Sequence, residues 1–163
     1  MDAILSAERL AAVLAYEPET GAFVFQCKRG NRAKGAVVSG SPGTHGHRYI
    51  GVDGRLHLAH RLAFLAMTGL WPVGEIDHID GDPSNNRWVN LRDTDHRTNM
   101  QNIKRAPITN RSGLLGAHRH QGRFASKIRI AGRLVHLGCF DTAQAASEAY
   151  LRAKRTHHSG CTL

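Results

Sequence analysis

The chain has 163 residues, enough for one ordinary domain or two small ones, and its 41% hydrophobic content permits a core. A formal net charge of +9 favours a polyanionic partner. No apolar run approaches the ~18 residues of a membrane span. The three cysteines (Cys27, Cys139, Cys161) form no Cys-x-x-Cys pair, which argues against a zinc ribbon. With no signal peptide, they fit the reducing cytoplasm of a bacterial or phage-infected cell.

Residues 6–15 predict a helix capped by Ser6, with Leu10, Val13 and Leu14 as its apolar stripe. Residues 16–21 read as a turn and Phe23–Phe25 as a strand. The basic loop 28–34 is either solvated or a phosphate-contacting arm. Residues 39–47, rich in Ser, Gly and His, show no regular pattern. Arg48–Val52 and Arg55–Ala59 flank Asp53-Gly54, a hairpin signal because this pair accepts the positive φ angles of a tight turn. His60–Thr68 predicts a helix that turns Leu62, Leu65 and Ala66 to the core and ends at Gly69. His60, at its head, reads as structural rather than catalytic.

The stretch 75–99 carries the chemistry. Asp77 stands beside His78, Gly81 and Pro83 force a turn, and Asn85 and Asn86 can brace the loop through side-chain-to-backbone bonds. Leu91 continues a short strand, and Thr94 or Asp95 can cap a helix to about Ile103 that carries His96 and Asn99. A hard divalent cation takes oxygen ligands, and a neutral imidazole beside it can accept a proton from water. An EF-hand is excluded, because the position that needs its Glu is Trp88.

Asp77-His78-Ile79-Asp80-Gly81-Asp82, Asn85-Asn86, Asn90-Leu91-Arg92 and Asn99, with His60-Arg61-Leu62-Ala63 upstream, resemble the HNH nuclease family in its phage and homing-endonuclease branch, over about residues 55–105. The resemblance implies a ββα-metal finger holding one Mg²⁺ or Mn²⁺. It implies Asp77 as a metal ligand, His78 as the general base, and Asn90 as the residue that holds the loop and orients His78. Asn99 would be the second ligand; His96, one turn before it, could replace it or contact phosphate. Arg61 or Arg92 would offset phosphate charge. One metal and one base imply one strand cut per active site.

Residues 104–112 look like a basic linker, placing a boundary near Pro107 between a nuclease domain, 1–106, and a second domain, 107–163. The first part holds 13 Lys and Arg against 11 Asp and Glu; the second holds 9 against 2 and is a cation. Strands are expected at 114–119, 123–130 and 133–137, with a helix starting at 141–144 whose face is lined by alanines. Together they predict a three-stranded antiparallel sheet packed on one helix. Arg119, Arg123, Lys127, Arg129 and Arg133 would present charge to double-stranded DNA. Gly116, Phe124-Ala125, the stretch 137–142 and the Ala-rich helix resemble the plant ethylene-response-factor (Apetala-type) DNA-binding domain, over about 112–158.

The fold expectation is therefore α+β. The function expectation is a metal-dependent DNA endonuclease, with a non-catalytic DNA-binding protein as the competing reading. No protein partner is implied. An RNA-binding factor would need a stacking platform, and only 6% of residues are aromatic.

Overall fold

A computed structural model describes residues 5–163. The chain divides into two compact units, the first ending at Thr94 and the second running from Asp95 to Leu163. Several small antiparallel sheets and short helices make it a mixed α and β protein, compatible with the α+β class.

In the first unit α1 spans Ala7–Val13, and the Ser6 hydroxyl accepts the Arg9 N–H at 3.2 Å. The helix stops before residue 15. Leu14 is already extended because it pairs with Phe25, opening the hairpin of β1 (Leu14–Glu17) and β2 (Ala22–Phe25). β3 (Ser41–Pro42), β4 (Arg48–Val52) and β5 (Arg55–Leu58) form a sheet in that order. Asp53 and Gly54 turn β4 into β5 with φ of 49° and 80°. Residues 39–47 thus hold more structure than their composition predicts. They add an edge strand, where Pro42 needs no donor, and a short 3₁₀ turn that delivers His47.

α2 (Ala59–Thr68) ends on Gly69 in the left-handed region, φ 77°. Its core residues are Leu62, Ala63 and Leu65, packed in one cluster with Leu10, Phe23 and Ile50. Ala66, expected inside, is exposed; the helix is rotated so that Ala63 takes the inner position. The basic loop is partly anchored. Asp53 binds Arg9 at 2.8 Å and Arg29 at 3.4 Å, and the Arg32 guanidinium lies 5.5 Å from the centre of the Phe25 ring.

β6 (Glu75–His78) and β7 (Leu91–Thr94) pair with Asp77 opposite Arg92 and His78 opposite Leu91. The β1–β2 hairpin braces the loop between them. The Tyr16 hydroxyl donates to the Asn86 carbonyl at 2.6 Å, and the Trp88 N–H to the Pro18 carbonyl at 3.0 Å. Burial raises the Tyr16 phenol to about 12, so it stays a donor. Gly21 lies so close to the Asn86–Arg87 peptide that a side chain there would collide with backbone.

The second unit begins with α3 (His96–Gln101), capped by Asp95, whose carboxylate accepts the Thr98 N–H at 2.8 Å. β8 (Ala117–His120), β9 (Arg123–Ile130) and β10 (Arg133–Phe140) form an antiparallel sheet in the order β10-β9-β8. α4 (Ala143–His157) packs on it, capped by Thr142. The first strand starts at Ala117, not 114. Asn110 and Ser112 side chains hold the Leu114 and Ala117 carbonyls in a turn that a strand would undo.

Gly116, φ 76°, is the contact point between this turn and α4: a Cβ would overlap the Tyr150 ring. Gly116→Ala therefore adds a left-handed strain to a clash. It is expected to destabilise the second unit by about 1–3 kcal/mol, read as a lower denaturant midpoint in chemical unfolding. An unchanged midpoint would refute this packing.

Residues 154–162 sew α3 to the rest of the unit. Gln101 Oε1 accepts the Gly160 N–H at 3.0 Å, Thr162 donates to Asn102 Oδ1 at 2.6 Å, and the buried Lys154 ammonium donates to the Ile103 carbonyl. No described helix is long and apolar enough to cross a membrane.

Candidate active site

Asp77 and His78, at the end of β6, are both buried, only 6% exposed. Arg92, directly across the ladder, grips Asp77 Oδ2 through Nε at 2.8 Å and Nη2 at 2.6 Å. Arg61, the other candidate for phosphate, donates to the carbonyls of Pro72 at 3.1 Å and Gly74 at 3.3 Å.

Asn90 is a loop clamp. Its Oδ1 accepts the Asp80 N–H at 2.9 Å, and its Nδ2 donates to Asp80 Oδ1 at 3.0 Å and to the Asn85 carbonyl at 2.8 Å. Asp80 and Asp82 are engaged inside the same loop, Asp80 with Asn85 and the Asp82 N–H, Asp82 with Ser84. These bonds lower both carboxyls against a smaller desolvation by burial for Asp82, and together outweigh the larger desolvation for Asp80.

Asn86 touches the His78 ring. Its Nδ2 donates to the Ser84 carbonyl at 3.2 Å, which fixes the amide so that Oδ1 meets His78 Nε2 at 3.3 Å. An amide oxygen only accepts, so Nε2 carries the proton and the lone pair sits on Nδ1. The sequence placed Asn86 in loop bracing alone. A second Asn following the Asp-His pair was the available signal.

Two more imidazoles adjoin His78. The ring centres of His60 and His78 are 5.1 Å apart, those of His47 and His60 4.9 Å, and those of His47 and His78 5.7 Å. His60 is thus not an isolated structural histidine. Nothing in the sequence pointed to His47. Burial lowers all three; charge on His78 lowers His47 and His60 further, and charge on His47 lowers His60. In His78, desolvation outweighs the bond to Asn86 and the nearby carboxylates.

His60 falls furthest, from 6.5 to about 3, so folding prefers it neutral. Its contribution to stability is complete above the unfolded value of 6.5 and is lost as pH falls towards 3. The loss approaches about 1.4 kcal/mol for each pH unit inside that window. Thermal unfolding at pH 7, 6, 5 and 4 should show a midpoint that drops with acidity, and His60→Gln should flatten the dependence. Parallel curves for both proteins would count against it.

Residues 57–101 match the family model described as HNH endonuclease. No curated protein and no solved structure matches the chain. The match supports a nuclease-type function, and with it a nucleic-acid substrate and a divalent metal. The HNH segment contains His60, Asp77, His78 and Asn90 of the first unit and His96 and Asn99 of α3 in the second. His47 lies outside it.

The register of the second unit sorts its basic residues onto two faces. Residues opposite each other in a ladder share a face. Arg119 lies opposite Phe124 and Arg133 opposite Ile130, on the face of Ser126 and Ile128 that α4 covers. Arg123, Lys127 and Arg129 share the other face with His118, His120 and His136. Arg123 meets Asp141 at 2.8 Å and Arg129 the Gly132 carbonyl at 3.0 Å, both exposed.

Proposed function

We propose that this protein is a metal-dependent DNA endonuclease of the phage or homing type, nicking one strand per active site. Its second unit would act as an Apetala-like DNA-binding domain. The observation that supports the reading is the buried His78 ring beside the buried Asp77 carboxylate, with Asn86 Oδ1 against its Nε2, inside the segment that matches HNH endonucleases.

The donor set suits a hard cation: a buried carboxylate, Asp77, within a segment matched to HNH endonucleases. Asp77 would supply a carboxylate oxygen to one Mg²⁺ or Mn²⁺. Such an ion supplies electrostatic stabilisation of the scissile phosphate and its leaving oxygen. His78 Nδ1 accepts the proton of the attacking water. Asn86 keeps Nε2–H occupied, so the ring cannot turn or change tautomer without losing that bond. Asn90 keeps the loop after His78 closed. Arg92 balances the Asp77 charge and has the reach of a planar, multidentate donor towards phosphate. The Arg123, Lys127 and Arg129 face supplies sequence-independent affinity for the duplex.

Supercoiled plasmid with Mg²⁺ tests the reading. The expected product is the nicked circle, absent when the metal is chelated. Retarded but intact plasmid under every divalent ion would instead support the competing reading, a non-catalytic DNA-binding protein that uses the basic sheet.

A further inference from the structure

One ring nitrogen from each of His47, His60 and His78 lies within 4.8 Å of the other two. The geometry points to a second metal site, distinct in chemistry from the carboxylate site: three imidazoles that take a nitrogen-preferring transition ion, Zn²⁺ foremost. An ion there occupies the lone pair of His78 and switches the nuclease off. The switching half rests on the function proposed above; the binding half does not.

The spacing fits. A Zn–N bond of 2.0–2.1 Å puts each ring centre about 3.2 Å from the ion, and tetrahedral angles then separate the centres by about 5.2 Å. The observed separations are 4.9, 5.1 and 5.7 Å. The Nδ1 atoms of His47 and His60 are buried without a hydrogen-bond partner, an expense that proteins seldom leave uncompensated.

The ligands come from separate, well-fixed elements. His47 follows the 3₁₀ turn before β4, His60 lies in the first turn of α2, and His78 ends β6. All three are in the first unit. Three nitrogens and no carboxylate select against Mg²⁺, which takes oxygen and keeps its water. Zn²⁺ at the triad and water activation by His78 exclude each other, because a neutral imidazole has one lone pair.

The test uses the full chain freed of metal. Co²⁺ titration followed by visible absorption should give the intense bands of a four-coordinate site, and calorimetry should give one tight Zn²⁺ site. His47→Gln and His60→Gln should each weaken Zn²⁺ by more than the ~10–100-fold that loss of an outer contact costs. His47 is half-buried, so its variant should keep the wild-type melting curve and guard against a folding artefact in His60→Gln. His136→Gln, beside Cys139 in the second unit, should change nothing. In Mg²⁺-dependent nicking, Zn²⁺ should inhibit the wild type, and the nicking that His47→Gln retains, measured against its own Zn²⁺-free rate, should resist Zn²⁺.

Weak octahedral Co²⁺ spectra, or Zn²⁺ affinity unaltered in both variants, would overturn the site. Tight binding that depends on His47 and His60 without any nicking would uphold the site and defeat the nuclease reading. Nicking inhibited equally in wild type and His47→Gln would overturn the switch.

Discussion

His78→Ala is expected to lower nicking by about 10²–10⁴-fold, the range that a positioned general base contributes. DNA binding should persist, because Arg123, Lys127 and Arg129 belong to the other unit. The wild-type pH profile carries a second mark. Burial holds His78 below its ordinary value of 6.5, so the ring is neutral at pH 7 and the rate should fall only at pH values under 6.5. The variant's residual activity should lack that acid limb. Full cleavage by His78→Ala, with an unchanged limb, would remove His78 from the mechanism.

The second large effect concerns affinity. Substituting Arg123, Lys127 and Arg129 together by Gln should remove three phosphate contacts. Each contributes about 0.9 to the slope of log affinity against log salt, so the slope should shrink by about 2.7. At 0.15 M salt that corresponds to about 10²-fold weaker binding. The control pair Arg119→Gln and Arg133→Gln, on the face with Phe124 and Ile130, should lose much less. Fluorescence anisotropy with a labelled duplex at several salt concentrations measures both. Equal losses would mean that the face assignment does not govern DNA contact.

Local signals in the sequence were enough for much of this architecture. Asp53-Gly54 marks a hairpin because the pair accepts positive φ, and it does adopt it. Gly69 ends α2 and Asp95 caps α3 for equally local reasons. What escaped depends on contacts between distant segments. A helical stripe of Leu62 and Leu65 fits either Ala63 or Ala66, and only packing against Leu10 and Phe23 decides. Strand alternation separates Arg123 from Phe124, yet which face Arg119 and Arg133 join depends on the register with β9.

The candidate site shows the same division. That Asp77, His78 and Asn90 lie near one another follows from local signals, because chain neighbours and a short ladder bring them together. His47 was not: thirteen positions before His60 and in a stretch without periodicity, it reaches the cluster only because β4 and α2 fold over each other. The Asn86 backbone is held by Tyr16, a partner 70 residues away.

The ties from Lys154, Gly160 and Thr162 to Ile103, Gln101 and Asn102 bear on how such a protein can evolve. Exchange of the sheet and α4 by recombination at Pro107 would leave the helix bearing Asn99 without the segment that steadies it. Under the proposed function, a new target preference should therefore be inherited through point changes on the Arg123, Lys127 and Arg129 face, while residues 95–163 pass on as one block.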